Sequence, residues 1–409
     1  MRKDAKSSIL IGVGPMRYEF PHITHLDQVR PAIEGCDEFI IAEREWGYVV
    51  NYMVSMSDTF PPVETEHDAI RRECRGMLFY KDGTVMSRRL HKFFNIGERD
   101  ETQFHAIDWS QPHVILEKLD GSMITPVIMP DGGIRWGTKM GITEVSMQAE
   151  KFVACHPQYE QFARMVMVNL GFTPIFEWTS RKQRIVIDYE EDNLVLIAVR
   201  DTISGKYFSL RWLQEYGDMF DIEVIKTYSG SAQSMAHLMD ETRDAEGIEG
   251  YIIRFDDGHM LKIKAADYLR KHKTKDAISL EKNIISLLVN EQMDDVKAFM
   301  LEDDRKRVEE FETDFFIGIN QVVQSYDRYF DTVIAHGLDR KRFALEWLPT
   351  IKAQDAFAGG IVFGKFDGKD TRTMVLDIIK RSTGSQTKID EVRHLWGSFK
   401  WSYSGAVGD

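Results

Sequence analysis

Lys118 stands at the end of an apolar run, immediately before a turn, in Glu117-Lys118-Leu119-Asp120-Gly121-Ser122. A lysine so placed is either a solvated hairpin residue or a nucleophile held in a polar pocket, and these residues alone do not separate the two. Glu177 sits inside the apolar segment Ile175-Phe176-Glu177-Trp178, and Glu249 at the entry to another, Gly250-Tyr251-Ile252-Ile253. A carboxylate among apolar neighbours needs a partner, whether in a structural ion pair or in a working site. After the Asp256-Asp257-Gly258 turn the chain returns through Leu261-Lys262-Ile263-Lys264. Side chains two apart in a strand share a face, so Lys262 and Lys264 point together and the apolar pair points away. Across a hairpin from Glu249, these lysines form one wall of a polar pocket. Residues 71–100 hold eight Lys/Arg against four Asp/Glu, with Phe93 and Phe94 interleaved. That basic island suits a substrate-facing surface, and equally an exposed charged loop over Phe side chains packed in a core.

The elements that must position these residues are short. From Arg71 to about Lys264 the chain reads as β-branched or alternating runs around Gly turns, among them Arg75–Tyr80, Val114–Lys118, Met123–Met129 and Ile134–Lys139. Gln183–Asp188 and Leu194–Arg200 read as a further hairpin, and Val145–Asn169 as one helix with Phe152, Val153, Phe162, Met165 and Val166 on its apolar face. Beyond Lys264, Val308, Phe311, Phe315, Ile319, Val322, Tyr326 and Tyr329 recur at steps of three and four, one helix face. Similar spacing runs through Ile278–Val289 and Thr373–Ile379, and Ala358–Gly364 reads as a Gly-rich loop or tight packing site. These patterns predict an α+β domain followed by a helical one.

Arg72-Glu73-Cys74-Arg75-Gly76, His91-Lys92-Phe93-Phe94-Asn95, the Lys118 segment, Phe176-Glu177-Trp178, Ile248-Glu249-Gly250-Tyr251-Ile252-Ile253 and Leu261-Lys262-Ile263-Lys264 occur in the order expected of covalent nucleotidyltransferases. Within that superfamily the set resembles the phage RNA ligase 1 family, the ATP-dependent tRNA-repair RNA ligases. The likeness covers about residues 72–268, with a weaker trace at Met293–Ala298 and Glu309–Thr313. It implies a nucleotidyltransferase (ATP-grasp-like ligase adenylation) domain of antiparallel sheets and helices over 36–268. An all-α C-terminal domain over 269–409, carrying RNA or tRNA specificity, would follow, and residues 1–35 form an unassigned N-terminal extension.

The resemblance also implies chemistry and roles. Lys118 would attack the α-phosphorus of ATP to give lysyl-AMP. AMP would pass to an RNA 5′-phosphate, and an RNA 3′-hydroxyl would displace it. Lys118, Asp120, Gly121, Lys262 and Lys264 take catalytic positions, Gly121 by letting backbone approach the nucleophile. Arg75, Lys92, Lys139, Glu177 and Tyr52 would bind ATP with Lys118, Lys262 and Lys264, Lys92 on the outer phosphates and Glu177 on ribose or metal. Glu249 would associate with Mg²⁺, for which Mn²⁺ substitutes. Asp294 and Asp295 match a second metal pair but also read as a helix start. Tyr268, Arg270 and Lys271 are RNA-binding candidates, and His91 a phosphate contact. Neighbouring cations and desolvation are expected to favour the neutral Lys118 amine over an ordinary pKa of about 10.4.

Composition bounds these readings. The 409 residues include 52 Lys+Arg and 65 Asp+Glu, a net charge of −13, which argues against indiscriminate nucleic-acid coating but not against a local basic cleft. Three scattered cysteines form no CxxC pair and favour a reducing compartment. No apolar run approaches a membrane span, and the N-terminal apolar stretch is brief for a signal peptide. The expectation is a cytoplasmic monomer without membrane association, in the host cytoplasm if phage-encoded. Its partner would be RNA with 5′-phosphate and 3′-hydroxyl ends, such as nicked tRNA. A DNA ligase or capping-type nucleotidyltransferase is the alternative enzyme, disfavoured because the region after Lys264 lacks the short alternating strands of an OB domain. A non-catalytic RNA-end-binding protein is the alternative of another class.

Overall fold

The computed structural model describes residues 18–53, 55, 58–228, 235–397 and 399–403, without the side chains of Asp295 and Gln354. The chain divides into two compact units, the first running to Leu269 and the second from Arg270.

The strands of the first unit are β1 (Phe39–Arg44), β2 (Gly47–Tyr52), β3 (Arg75–Phe79), β4 (Val85–Ser87), β5 (Phe94–Asn95), β6 (His113–Lys118), β7 (Ser122–Ile128), β8 (Ile134–Gly137), β9 (Phe172–Thr179), β10 (Asn193–Asp201), β11 (Thr227–Tyr228), β12 (Gly250–Phe255) and β13 (Met260–Lys264). They form three sheets, ordered β1-β2-β3-β4, β10-β9-β7-β8 and β11-β6-β12-β13-β5. All pairings are antiparallel except β13 with β5. The expected α+β architecture followed by a helical region is what the structure has.

Alternation decides what each strand buries. On the third sheet Ile115, Ile253, Leu261 and Ile263 face one way and pack with Met235 and Phe255. Leu116 packs with Val195 and Ile225 beneath the opposite face. The β12–β13 hairpin is closed by Gly258 at φ +91° and by the His259 amide donating to Asp257 Oδ1 at 2.9 Å.

Two expected elements differ. Helix Glu144–Cys155 stops before Pro157, and Gln158–Arg164 restarts it, because proline offers no amide to continue the ladder. Residues 183–188 are not a strand; β10 pairs with β9 instead, and the 180–192 segment is a loop.

The first unit is fastened by an internal ionic centre. Glu73 accepts from Arg88 Nε at 2.9 Å and from Arg200 at 2.9 and 3.1 Å, with all three side chains fully buried. Arg88 Nη1 also donates to the Pro21 and Ile203 carbonyls at 2.8 Å each. Phe20 lies under the Arg200 guanidinium and stacks on His259. Ile23, Leu26, Val29 and Ala32 are core residues packed with Val50, Met77 and Phe79. Residues 18–35, left unassigned by the sequence, thus pack onto the first unit's core. Residues 1–17 of the expected extension lie outside the described residues.

The second unit is built around helix Glu302–Ala335, whose Val308, Phe311, Phe315 and Ile319 bury against Trp396 and Trp401. Gly318 lets that helix meet the Trp396 backbone, since a Cβ there would overlap it. Ala358–Phe366 is a helix, with Gly359 close against Leu348, so this Gly-rich stretch serves packing. Among the described residues no helix is long and apolar enough to cross a membrane.

Candidate active site

Strand register builds the site. In the third sheet Gly250 of β12 lies opposite Lys118 of β6 on one side and Lys264 of β13 on the other. Two residues along, Ile252 lies opposite Leu116 and Lys262. One face therefore carries Lys118, Lys262 and Lys264, with Gly250 leaving space between two of them. Glu249, 4% exposed, fills the end of that row: its Oε1 lies 2.8 Å from Lys118 Nζ and 3.0 Å from Lys264 Nζ. Gly250 has φ +146°, and a Cβ on it would overlap the Ile263 carbonyl oxygen. Only glycine fits between these ladders. Gly250→Ala is expected to cost at least about 1–3 kcal/mol of first-unit stability from backbone strain alone. It should also disperse the row; an unchanged unfolding midpoint on heating would refute this register.

The charges do not sit as expected for a ready nucleophile. Burial drives Lys118 toward the neutral amine, but Glu249, then Glu177 and Asp120, outweigh it and hold its pKa above the ordinary lysine value. Burial would raise the Glu249 carboxyl, yet Lys118 and Lys264 bring it below the usual carboxylate range. Without ligand, Lys118 is a paired ammonium, contrary to the sequence expectation. At Lys262 the neighbouring cations act in the same direction as burial. Burial first, then Lys118, Arg75, Lys92 and Lys264, push Lys262 well below an ordinary lysine, and its Nζ lies 5.2 Å above the Phe93 ring.

Arg75, Lys92 and Lys139 gather around Tyr52. Burial alone would raise the Tyr52 phenol; the three cations override it and lower its pKa. Lys92 and Lys139 lie 4.9 and 5.8 Å over the Tyr52 ring. Burial lowers Lys92, aided by Arg75 and opposed by Tyr52 and Glu98. Gly76, at φ +82°, permits the Lys139 backbone to touch β3. Arg89 straps that approach, donating to Thr125 Oγ1 at 2.7 Å, to Gly137 O at 3.2 Å and to Thr138 O. The structure therefore draws Tyr52, Arg75, Lys92, Lys139, Lys262 and Lys264 into one cationic region that also holds Lys118, Glu177 and Glu249. Such a region is built to receive a polyanion.

At Gly121 a Cβ would overlap the Trp178 carbonyl oxygen and crowd Glu177. Asp120 is buried, its Oδ2 accepting from the Val186 and Ile187 amides at 2.7 Å each and its Oδ1 from Tyr268 Oη at 2.7 Å. Its own amide donates to Tyr189 Oη at 2.8 Å. Both carboxylate oxygens are thus occupied in holding the turn.

Several expected roles do not match the placement. Tyr268, an RNA-binding candidate, is buried with its hydroxyl on Asp120. His91 is fully buried with its Nδ1 on Tyr207 Oη at 2.8 Å. Arg72, Arg88 and Arg89 of the basic island are internal, with Arg72 donating to Pro61 O at 2.6 Å and pairing with Glu101 at 3.1 Å. Phe93 and Phe94 are core residues. Arg270 and Lys271 lie in the second unit, on helix Ala266–Ser279, Arg270 exposed over Phe299 at 5.8 Å. Asp294 is 94% exposed and lies 3.6 Å from Lys297, a cation that opposes a second one. The side chain of Asp295 lies outside the described residues. Among the described residues no three His, Cys, Asp or Glu side chains gather as a metal cage. Sequence reasoning missed Tyr189 and the Val186–Ile187 amides, which carry no motif of their own.

The chain matches the RNA ligase family model over residues 73–278 and that of the T4 RNA ligase 1 C-terminal domain over 275–387. It is 30% identical to a provisionally named RNA ligase of Thermovibrio ammonificans, over 67% of this chain and 71% of that one. It is 23% identical to the RNA ligase of Rhodothermus phage RM378, over 88% of this chain and 94% of that one. Among solved structures it resembles an RNA ligase of Naegleria gruberi, with 16% identity and a TM-score of 0.32, over 40% of this chain and 52% of that one. The chain thus spans about half of that solved relative.

Proposed function

This chain belongs to the RNA ligase family, that of phage T4 RNA ligase 1, and on that premise we propose that it joins RNA 5′-phosphate to 3′-hydroxyl ends at the expense of ATP. The observation that carries the reading is the row Lys118–Glu249–Lys264 set beside the cations Arg75, Lys92, Lys139 and Lys262.

Neutral Lys118 Nζ attacks the α-phosphorus of ATP. A nitrogen–phosphorus bond forms, the bond to the bridging oxygen breaks, pyrophosphate leaves with the electron pair, and the amine proton passes to solvent. An oxygen of the RNA 5′-phosphate then attacks the same phosphorus, the nitrogen–phosphorus bond breaks, and Lys118 takes up a proton from solvent and leaves as the amine. The 3′-hydroxyl attacks the activated phosphate, loses its proton, and AMP departs. Lys262 and Lys264 neutralise the reacting α-phosphate, and Arg75, Lys92 and Lys139 bind the rest of the nucleotide. Burial and the neighbouring cations weaken the Lys262 ammonium, and a bound phosphate would restore it.

Glu249 and Glu177 supply hard oxygen donors beside the nucleophile, which suits Mg²⁺ or Mn²⁺ held by one or two carboxylates with substrate phosphates. A divalent cation there would neutralise triphosphate charge. Both lysines hold Glu249 through Oε1, which leaves Oε2 to face a cation, and loosening the Lys118 contact on nucleotide loading would free its amine. By family likeness the physiological substrate we assign is nicked tRNA, repaired by a monomer in phage-infected cytoplasm.

The test is sealing of a nicked tRNA and of a nicked DNA, each with a 5′-phosphate, in ATP and Mg²⁺ or Mn²⁺. Sealing of the RNA, dependent on ATP and blocked by a 5′-hydroxyl, is expected. Sealing of DNA alone, or of neither, would sink the proposal.

A further inference from the structure

We infer that Tyr189, with the loop it belongs to, is a positioning residue that fixes the turn following the nucleophile. The inference rests on the lysine-adenylation reading above and concerns a residue outside the motifs that carry it.

β6 belongs to the five-stranded sheet and β7 to a four-stranded one, so the chain changes sheets within the three residues after Lys118. A crossing that short has few bonds of its own to hold it. In this structure the loop from Ser180 to Asp192 holds it from outside. Its base is closed by the Thr179–Asn193 pair and by Ser180 Oγ donating to Asp192 Oδ1 at 2.7 Å. Buried Ile185 and Val186 anchor its middle. From that anchored middle, the Val186 and Ile187 amides grip the Asp120 carboxylate, while Tyr189 Oη accepts from the Asp120 amide at 2.8 Å. Side chain and backbone of one residue are thus caught by one loop. Gripping the carboxylate alone leaves the peptide plane free to swing about the side chain; the second hold, on the amide, removes that freedom. The peptide plane so fixed, between Leu119 and Asp120, lies one residue from Lys118, whose Nζ must reach phosphorus in line.

Glu117 and Tyr189 line the same open cavity, of about 510 Å³, with Glu190, Glu191, Asp192 and Glu223. Its acidic walls are unsuited to a triphosphate. The partner the hydroxyl holds is the Asp120 amide, within electrostatic reach of Glu177 and Glu249 beside the nucleophile. A misplacement of about 1 Å costs on the order of 100-fold in a reaction needing near-attack geometry.

The measurement is single-turnover adenylation of full-length enzyme against ATP concentration, for wild type, Tyr189→Phe and Ser180→Ala. Tyr189→Phe should lower the maximal rate by about 10–100-fold with the half-saturating ATP concentration within about twofold. Ser180→Ala, which opens the loop base, should show the same split more weakly. Hydrogen exchange of the peptide over Leu119–Ser122 should accelerate in Tyr189→Phe. Wild-type rates in both variants, or a raised ATP requirement at unchanged maximal rate, would overturn the inference. If Tyr189→Phe does not fold, Ser180→Ala decides by the same split. Wild type forming no adduct would instead remove the ligase reading itself.

Discussion

Lys118→Ala forms no AMP adduct: incubated with ATP and a divalent cation, its mass stays unchanged while wild type gains one AMP. The rate loss expected for removing a covalent nucleophile is about 10⁴-fold or more. Lys118→Arg should be as inactive, because a guanidinium stays protonated. The informative partner is Glu249→Gln. Glu249 is the largest of the influences holding the Lys118 ammonium against burial. Removing its charge lowers the Lys118 pKa, so the neutral amine appears at lower pH and the rising limb of adenylation per unit free enzyme moves toward acid. The plateau of that profile should nevertheless fall by about 10²–10³-fold, because the same carboxylate is lost to charge neutralisation of the substrate. A lower plateau with an unmoved limb would show that Glu249 does not govern the ammonium. An adduct on Lys118→Ala would falsify its assignment as nucleophile.

The second large effect is on the fold. Glu73→Gln leaves the Arg88 and Arg200 guanidiniums buried with a neutral partner, and breaking one member of such a group costs about 3–5 kcal/mol. Burial would raise the Glu73 carboxyl, but Arg200 and Arg88 hold it far below its ordinary 4.5. A carboxylate depressed on folding contributes stability that is complete above the unfolded value and fades as pH falls through the folded one. The gap in unfolding midpoint between wild type and Glu73→Gln should therefore be full at pH 7 and narrow below about pH 4.5. A gap that widens toward acid would contradict the ion-pair account.

Strand alternation made half of the site readable. Lys262 and Lys264 share a face because a strand repeats every two residues, and Glu249 could be placed across from them because the Asp256–Gly258 turn fixes the hairpin. Arg88, Arg89 and Glu73 were illegible: a charged cluster in sequence resembles a solvated loop, and only a partner over a hundred residues distant, Arg200, shows it to be interior. Ile185-Val186-Ile187 has a strand's composition, but Asp120 takes two of its amides, and a carboxylate competing for backbone donors leaves no trace in periodicity. Lys118 was placed by local pattern, whereas its protonation depended on a carboxylate more than a hundred residues away.

The parallel pairing of β13 with β5 joins Leu261 to Phe94 and Lys262 to Asn95. On a ribosome this has a temporal meaning. The nucleophile and its turn emerge well before Glu249, Lys262 and Lys264, and β5 waits unpaired through the synthesis of everything between. A nascent chain that ends soon after Lys118 lacks both the Glu249 carboxylate that holds the ammonium and the Lys262 and Lys264 cations. Non-local closure of this kind is a late event in folding. The row Lys118–Glu249–Lys264 is complete only once the strand ending at Lys264 has docked.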